Sequence, residues 1–170
     1  MAAVAGPEPF DQDPRRWRML ALVSVALLLG MSEWFTAAAV SPHLQLRWSL
    51  SASEVGWLTT VVQLGFVVGT ATAALLNLAD VVPSRPYFGV SALLAALSNA
   101  ALLAVPGFDT ALAARFFTGF FLAGVYPPGM KMIATWFRSA RGLAIGTVVG
   151  ALTVGKATPY LLKAAGRSMD

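Results

Sequence analysis

The chain has 170 residues, of which 57% are hydrophobic and only 12% charged, with a mean hydropathy of +0.69. A soluble domain is usually about a quarter charged, so this is the composition of an integral membrane protein. No cysteine, one histidine (His43) and eight acidic residues exclude a disulfide scaffold, a cysteine-based zinc or iron–sulfur centre and a thiol nucleophile. They also leave little for a catalytic triad or a metal cluster. No catalytic group, metal or cofactor is expected. The net charge of +4 comes from basic residues scattered between apolar runs, not from a stripe with interleaved aromatics, which argues for membrane flanks and against nucleic acid.

A bilayer core requires about 20 apolar residues per helix, and five runs meet that need: residues 19–41, 55–77, 87–105, 110–135 and 142–162. They occupy about two thirds of the chain, so the expected fold class is all-α, with five transmembrane helices in one bundle. Residues 1–14, rich in Gly, Pro, Asp and Glu, form a disordered cytoplasmic tail in this reading, and residues 163–170 a polar tail. The connections between runs are short, which makes consecutive helices antiparallel neighbours. Arg15, Arg16 and Arg18 before the first run, with Ala37-Ala38-Ala39 near its end, resemble a secretory signal. The run is too long for a 7–15-residue signal core and Glu33-Trp34 interrupts it, so it is read as the first span. Arg15, Arg16, Arg18, Arg85, Arg138 and Arg141 fall on one side, and Arg47, Lys163 and Arg167 on the other. This bias predicts a cytoplasmic N-terminus in a bacterial inner (plasma) membrane.

Four charged residues fall within the spans, and each needs a partner, water or a route to the interface. At about 1.5 Å rise per residue, Glu33 lies about 22 Å from Arg18 and Lys156 about 22 Å from Arg141. They are expected to pair across the bundle or to face one polar cavity. Arg115 lies one turn inside the fourth span, where snorkelling is open to it, and Lys131 is expected to snorkel to the inner headgroups. Tyr126-Pro127-Pro128-Gly129 is expected to break that span near its middle, and broken helices at the midplane point to transport sites. Gly142, Gly146 and Gly150, and likewise Gly65 and Gly69, recur at four-residue spacing and are read as helix-packing faces. Gln63 and the threonines Thr59, Thr60, Thr70 and Thr72 are read as interhelical hydrogen-bonding groups or as pore lining.

The fourth and fifth spans carry Arg115-Phe-Phe-Thr-Gly119, Gly124-Val-Tyr-Pro-Pro-Gly-Met-Lys131, Trp136-Phe137, Arg141-Gly142-Leu-Ala-Ile-Gly146 and Gly155-Lys-Ala-Thr-Pro159. In order and spacing this resembles helices 4 and 5 of the major facilitator superfamily, in which an Arg-x-x-x-Gly signature opens helix 4. The segment Leu76-Asn-Leu-Ala-Asp80-Val-Val-Pro83-Ser-Arg85 is similar to that superfamily's cytoplasmic Gly-x-x-x-Asp-Arg-x-Gly-x-Arg gating loop. Asp80 and Arg85 match, whereas Leu76, Val81 and Pro83 depart from it. Trp57-Leu-Thr-Thr in the second span adds a likeness to nitrate/cyanate-permease-like branches.

The resemblance implies the N-terminal part of a secondary transporter that works by alternating access. Helices 1 and 4 then line the cavity, helix 5 packs beside them and helix 3 faces lipid. The cavity and coupling candidates are Glu33, Gln63, Arg115, Tyr126 and Lys156. Glu33 becomes the candidate proton carrier, since a carboxylate away from water takes up a proton unless Lys156 or Arg115 holds it charged. The surplus of cations inside the spans favours a small anionic solute. Five spans are fewer than the twelve of such a transporter, so the chain is expected to be truncated, with a C-terminal bundle missing in cis or supplied in trans. The alternative is a non-transporting membrane protein or subunit that needs such a partner. An intramembrane enzyme is excluded because Ser24 and Ser32 have no histidine or aspartate beside them in the sequence and His43 falls in an outer loop.

Overall fold

A computed structural model describes residues 13–167. Residues 1–12 and 168–170, which hold most of the expected N-terminal tail and the end of the polar tail, lie outside the described residues. The described chain is helical throughout, with α1 Arg15–Trp48, α2 Ala52–Leu75, α3 Leu78–Val81, α4 Ser84–Ala100, a 3₁₀ turn Ala101–Leu103, α5 Phe108–Leu122, α6 Tyr126–Trp136 and α7 Arg141–Arg167. No strand occurs among the described residues. Four stretches are long and apolar enough to cross a membrane: α1, α2, α4 with its 3₁₀ turn, and α5 together with α6. The fifth expected span is the continuous 27-residue α7. It carries Lys156, three threonines and five glycines among its Leu and Val.

The first helix runs further than the expected span, through Pro42 to Trp48. Proline removes the N–H that would serve the Ala38 carbonyl, and the Ser41 hydroxyl donates to that carbonyl instead, at 2.9 Å. The helix ends where Ser49 turns left-handed at φ 52°. The next begins at a capping box: Ser51 Oγ accepts from Glu54 N–H at 3.3 Å, and Ser51 N–H donates to Glu54 Oε2 at 2.8 Å.

The fourth expected span is two helices, and the break differs from the expected one. It falls at residues 123–125, where Gly124 N–H reaches back three residues to Phe121 and Val125 N–H to Leu122. Pro127 and Pro128 lie after it, in the first turn of α6, where proline is well tolerated because the N–H groups there have no helical partner. A Cβ on Gly124 would run into the Ser91 side chain, so close contact with α4 marks the break.

Within the bundle α2 packs most extensively on α5, and α1 on α7. Two apolar clusters form the interior. One gathers Leu27, Met31, Leu122, Ile133, Phe137 and Val148; the other gathers Ala37, Leu44, Leu58, Leu102 and Ala111. On α1 they meet around Glu33 and Trp34. The expected lipid-facing helix, α4, exposes Val90, Leu93 and Leu97 and buries only Ser91 and Ala95 fully.

Candidate functional site

Arg115 is the best-tethered charge in the bundle. It is 0% exposed, so it does not snorkel. Its Nε donates to the Leu58 carbonyl at 3.3 Å, Nη1 to the Glu33 carbonyl at 2.9 Å and to Asn99 Oδ1 at 2.8 Å, and Nη2 to the Trp34 carbonyl at 2.6 Å. One guanidinium thereby ties α1, α2 and α4 to α5, a task that suits its rigid fork of donors. Asn99 is a partner that sequence reasoning missed; its signal was an amide in an otherwise Ala- and Leu-rich span.

Gly119 lies one turn after Arg115 on the same face of α5. A Cβ there would meet the backbone of Val62, while one on Gly65 would meet the backbone of Phe116, and one on Gly69 that of Phe120. The two helices therefore touch backbone to backbone. Leu58 precedes Val62 by one turn, so the glycine contact sets the separation at which Arg115 reaches the Leu58 carbonyl. In physical terms, the Arg-x-x-x-Gly spacing is a tether beside a close approach.

The expected Gly142, Gly146 and Gly150 face is exposed and meets nothing within 4 Å among the described residues. Among the described glycines of α7, the one that touches α1 is Gly155, whose Cβ would lie 3.2 Å from Leu28 Cα. Thr60 and Thr72 donate to carbonyls of their own helix, at Gly56 and Val68.

Next to Gly155, Lys156 opens onto a cavity of about 370 Å³ lined by Trp34, Phe35, Gln63, Phe66, Tyr126 and Lys156, among others. Three of the five expected cavity residues, Gln63, Tyr126 and Lys156, are brought together here. Arg115 and Glu33 are outside the lining. Trp34 and Phe66 lie ring to ring at 5.0 Å, and Lys156 Nζ stands 5.8 Å from the centre of the Phe35 ring. No ion pair joins Lys156 to Glu33. Instead, Glu33 is half-buried beside Arg115, and its Oε2 has no hydrogen-bond partner among the described residues.

At one end of the bundle Lys131 does not snorkel freely. Its Nζ donates to the Ala79 carbonyl at 2.6 Å and pairs with Asp80 Oδ1 at 3.2 Å, joining α6 to the short helix α3; Arg85 lies beyond it, in the first turn of α4. The pair is open to solvent, with the lysine side chain 46% and the aspartate 80% exposed. Arg85 is also exposed. His43 lies on α1, not in a loop.

The chain belongs to the Major Facilitator Superfamily, whose family model it matches over residues 22–162. Membership places it in a family of transporters, not of enzymes. Among curated proteins it is similar to the puromycin resistance protein of Streptomyces alboniger, with 31% identity over 163 residues, which is 95% of this chain. The chain spans 31% of that relative's length. The likeness to nitrate/cyanate permeases finds no support in this relative, which is named for drug resistance.

Proposed function

We propose that the chain forms the N-terminal bundle of a secondary transporter, and that the cavity between α1, α2, α6 and α7 is its half of a solute site used in alternating access. The observation that carries this reading is Lys156, the one charged side chain in a lining that is otherwise aromatic, apolar or amide. Such a surface favours a small organic anion with a flat apolar body: the rings receive the body and the ammonium receives the charge. The opposite wall belongs to a second helix bundle, in cis or in trans, and the outward face bearing Gly142, Gly146 and Gly150 suits close packing against it. Glu33, facing Arg115 at the centre of the bundle, is the candidate proton carrier for coupling. Asp80, Arg85 and Lys131 are the groups of the cytoplasmic gate, with the N-terminus in the cytoplasm of a bacterial cell.

The test is binding and flux of labelled benzoate with the full chain in proteoliposomes. Wild type is expected to bind benzoate with quenching of Trp34 fluorescence, and Lys156→Gln to weaken binding at least tenfold. Equal binding of benzoate and benzylamine would refute the anionic reading. Binding without flux would favour a subunit that acts only with its partner bundle. A second reading, export of a drug such as the one in the relative's name, is favoured by the 31% identity along 95% of this chain. It predicts that cells expressing the chain tolerate more puromycin.

A further inference from the structure

Gln63 is a polar group of the cavity that the fold leaves unused. It lies midway along α2, between Val62 and Leu64, where an amide is costly unless it finds a partner. It makes no hydrogen bond among the described residues, so it does not tie α2 to a neighbouring helix and lines the cavity instead. The Tyr126 hydroxyl, at the start of α6, is likewise unbonded among the described residues. Helices α2 and α7 both pack on α1 and hardly touch each other, so Gln63 and Lys156 stand on opposite flanks of α1. An aromatic floor runs between them: Trp34 rests against Phe66 of α2 at 5.0 Å, and Phe35 faces Lys156 of α7 at 5.8 Å.

Building on the cavity's proposed role as a solute site, we infer that it selects an aromatic monocarboxylate with an uncharged hydrogen-bonding group para to the carboxylate. The carboxylate meets Lys156, the ring lies over Trp34 and Phe35, and the second group meets Gln63. Helices that flank a third stand up to about 16–20 Å apart, axis to axis. Two polar side chains reaching into that gap from its ends suit a ring substituted at both ends, whereas an ortho substituent would stay beside the lysine. The volume of about 370 Å³ is near the lower end of the range for ligand sites, about 300–1,000 Å³, and has room for one ring and its substituents. Lys156 is the only charged residue in the described lining, so a second carboxylate would face no cation there. The glutamine amide both donates and accepts and serves a hydroxyl in either direction. A methyl in the same place would strip the amide of water and return no hydrogen bond.

Displacement of labelled benzoate from the full chain in micelles is the test. 4-Hydroxybenzoate is expected to compete at about one fifth the concentration of 4-methylbenzoate, the factor of one neutral hydrogen bond between ligands of the same shape. Terephthalate, with a second carboxylate, and 2-hydroxybenzoate, with its hydroxyl beside the first, are expected to compete no better than 4-methylbenzoate. Either one matching 4-hydroxybenzoate would overturn the placement of a neutral group at the far end. Gln63→Leu keeps the bulk of the side chain without the amide and is expected to bring the ratio of the 4-hydroxy and 4-methyl compounds to about one. A ratio that collapses in Tyr126→Phe instead would give the role to the tyrosine and overturn the assignment to Gln63. If the wild type binds no labelled benzoate, the solute site itself fails and the inference falls with it. Benzoate binding with equal competition by the 4-hydroxy and 4-methyl compounds overturns the inference alone, without any variant needing to fold. So does a ratio retained in a Gln63→Leu chain that keeps its helical circular dichroism.

Discussion

The contact between α2 and α5 can be tested by adding one carbon atom. In Gly119→Ala the new Cβ would lie 2.8 Å from the Val62 carbonyl carbon and 2.9 Å from Phe66 N, with the Val62 oxygen nearer still. Carbon atoms at rest stand about 3.5–4.0 Å apart, so the helices must separate by about 1 Å, and backbone atoms cannot rotate aside as a side-chain tip would. Overpacking of this kind costs about 3 kcal/mol at the upper end of its usual range. The helix preference for Ala over Gly offsets about 1 kcal/mol, leaving a net loss of about 2 kcal/mol. Gly65→Ala meets the backbone of Phe116 in the mirror arrangement and is expected to cost the same. The double variant is expected to lose less than the sum, because the first methyl already separates the helices that the second would push apart. Gly146→Ala, with nothing within 4 Å, is the control and is expected to be neutral or stabilising. Unfolding in a titration of dodecylmaltoside micelles with dodecyl sulfate, followed by far-ultraviolet circular dichroism, measures all four. Gly119→Ala unfolding at the same detergent fraction as Gly146→Ala would refute the backbone contact.

The same assay tests the tether: Arg115→Lys keeps the charge but cannot fork to three helices, and the loss of two charge-assisted hydrogen bonds is expected to cost about 3 kcal/mol. Ser51→Ala removes the capping box of α2 and is expected to cost about 1 kcal/mol. Asp80→Asn breaks an exposed pair and is expected to change stability by less than about 0.5 kcal/mol; a larger loss would mean that the loop does more than close a gate. Under the proposed proton coupling, Glu33→Gln proteoliposomes are expected to move solute at a rate indifferent to an imposed pH gradient that accelerates the wild type.

Much of the helical layout was legible because bilayer thickness dictates the length of an apolar run, and that constraint acts on the sequence directly. The discrepancies trace to contacts that a linear pattern does not contain. The first apolar run reads as residues 19–41, yet Ser41 satisfies the carbonyl that Pro42 leaves and the helix continues. Pro127 and Pro128 read as the break, yet the break precedes them at Gly124, against Ser91 of another helix. Glycine spacing singled out the regular stripe of α7, whereas, among the described glycines of that helix, the one against α1 is Gly155, outside the repeat. Arg115 stood out as a charge, but three of its four acceptors are backbone carbonyls, which every residue has; only Asn99 left a trace in the sequence.

Arg115 and Lys156, two cations within the helices, settle the same physical problem in opposite ways, and the contrast bears on function. A cation within a spanning helix costs up to about 2.5–3.5 kcal/mol on insertion scales, the full value applying at the helix centre. For Arg115 that cost is offset within the protein by four hydrogen bonds and by the nearby Glu33. Because every one of those contacts joins two helices, the charge is spent on fixing their relative positions. Lys156 has the face of Phe35 and no hydrogen bond or ion pair among the described residues. A cation over a ring recovers only about 0.5–2 kcal/mol, so the remainder must come from whatever fills the cavity. Water can supply it at rest, and a solute that displaces that water must bring its own negative charge or leave the ammonium uncompensated. On this argument Lys156→Met, which keeps the length and removes the charge, is expected to stabilise the empty bundle in the dodecyl sulfate titration while abolishing benzoate binding. Loss of stability in that variant would mean that the ammonium is held by the protein after all.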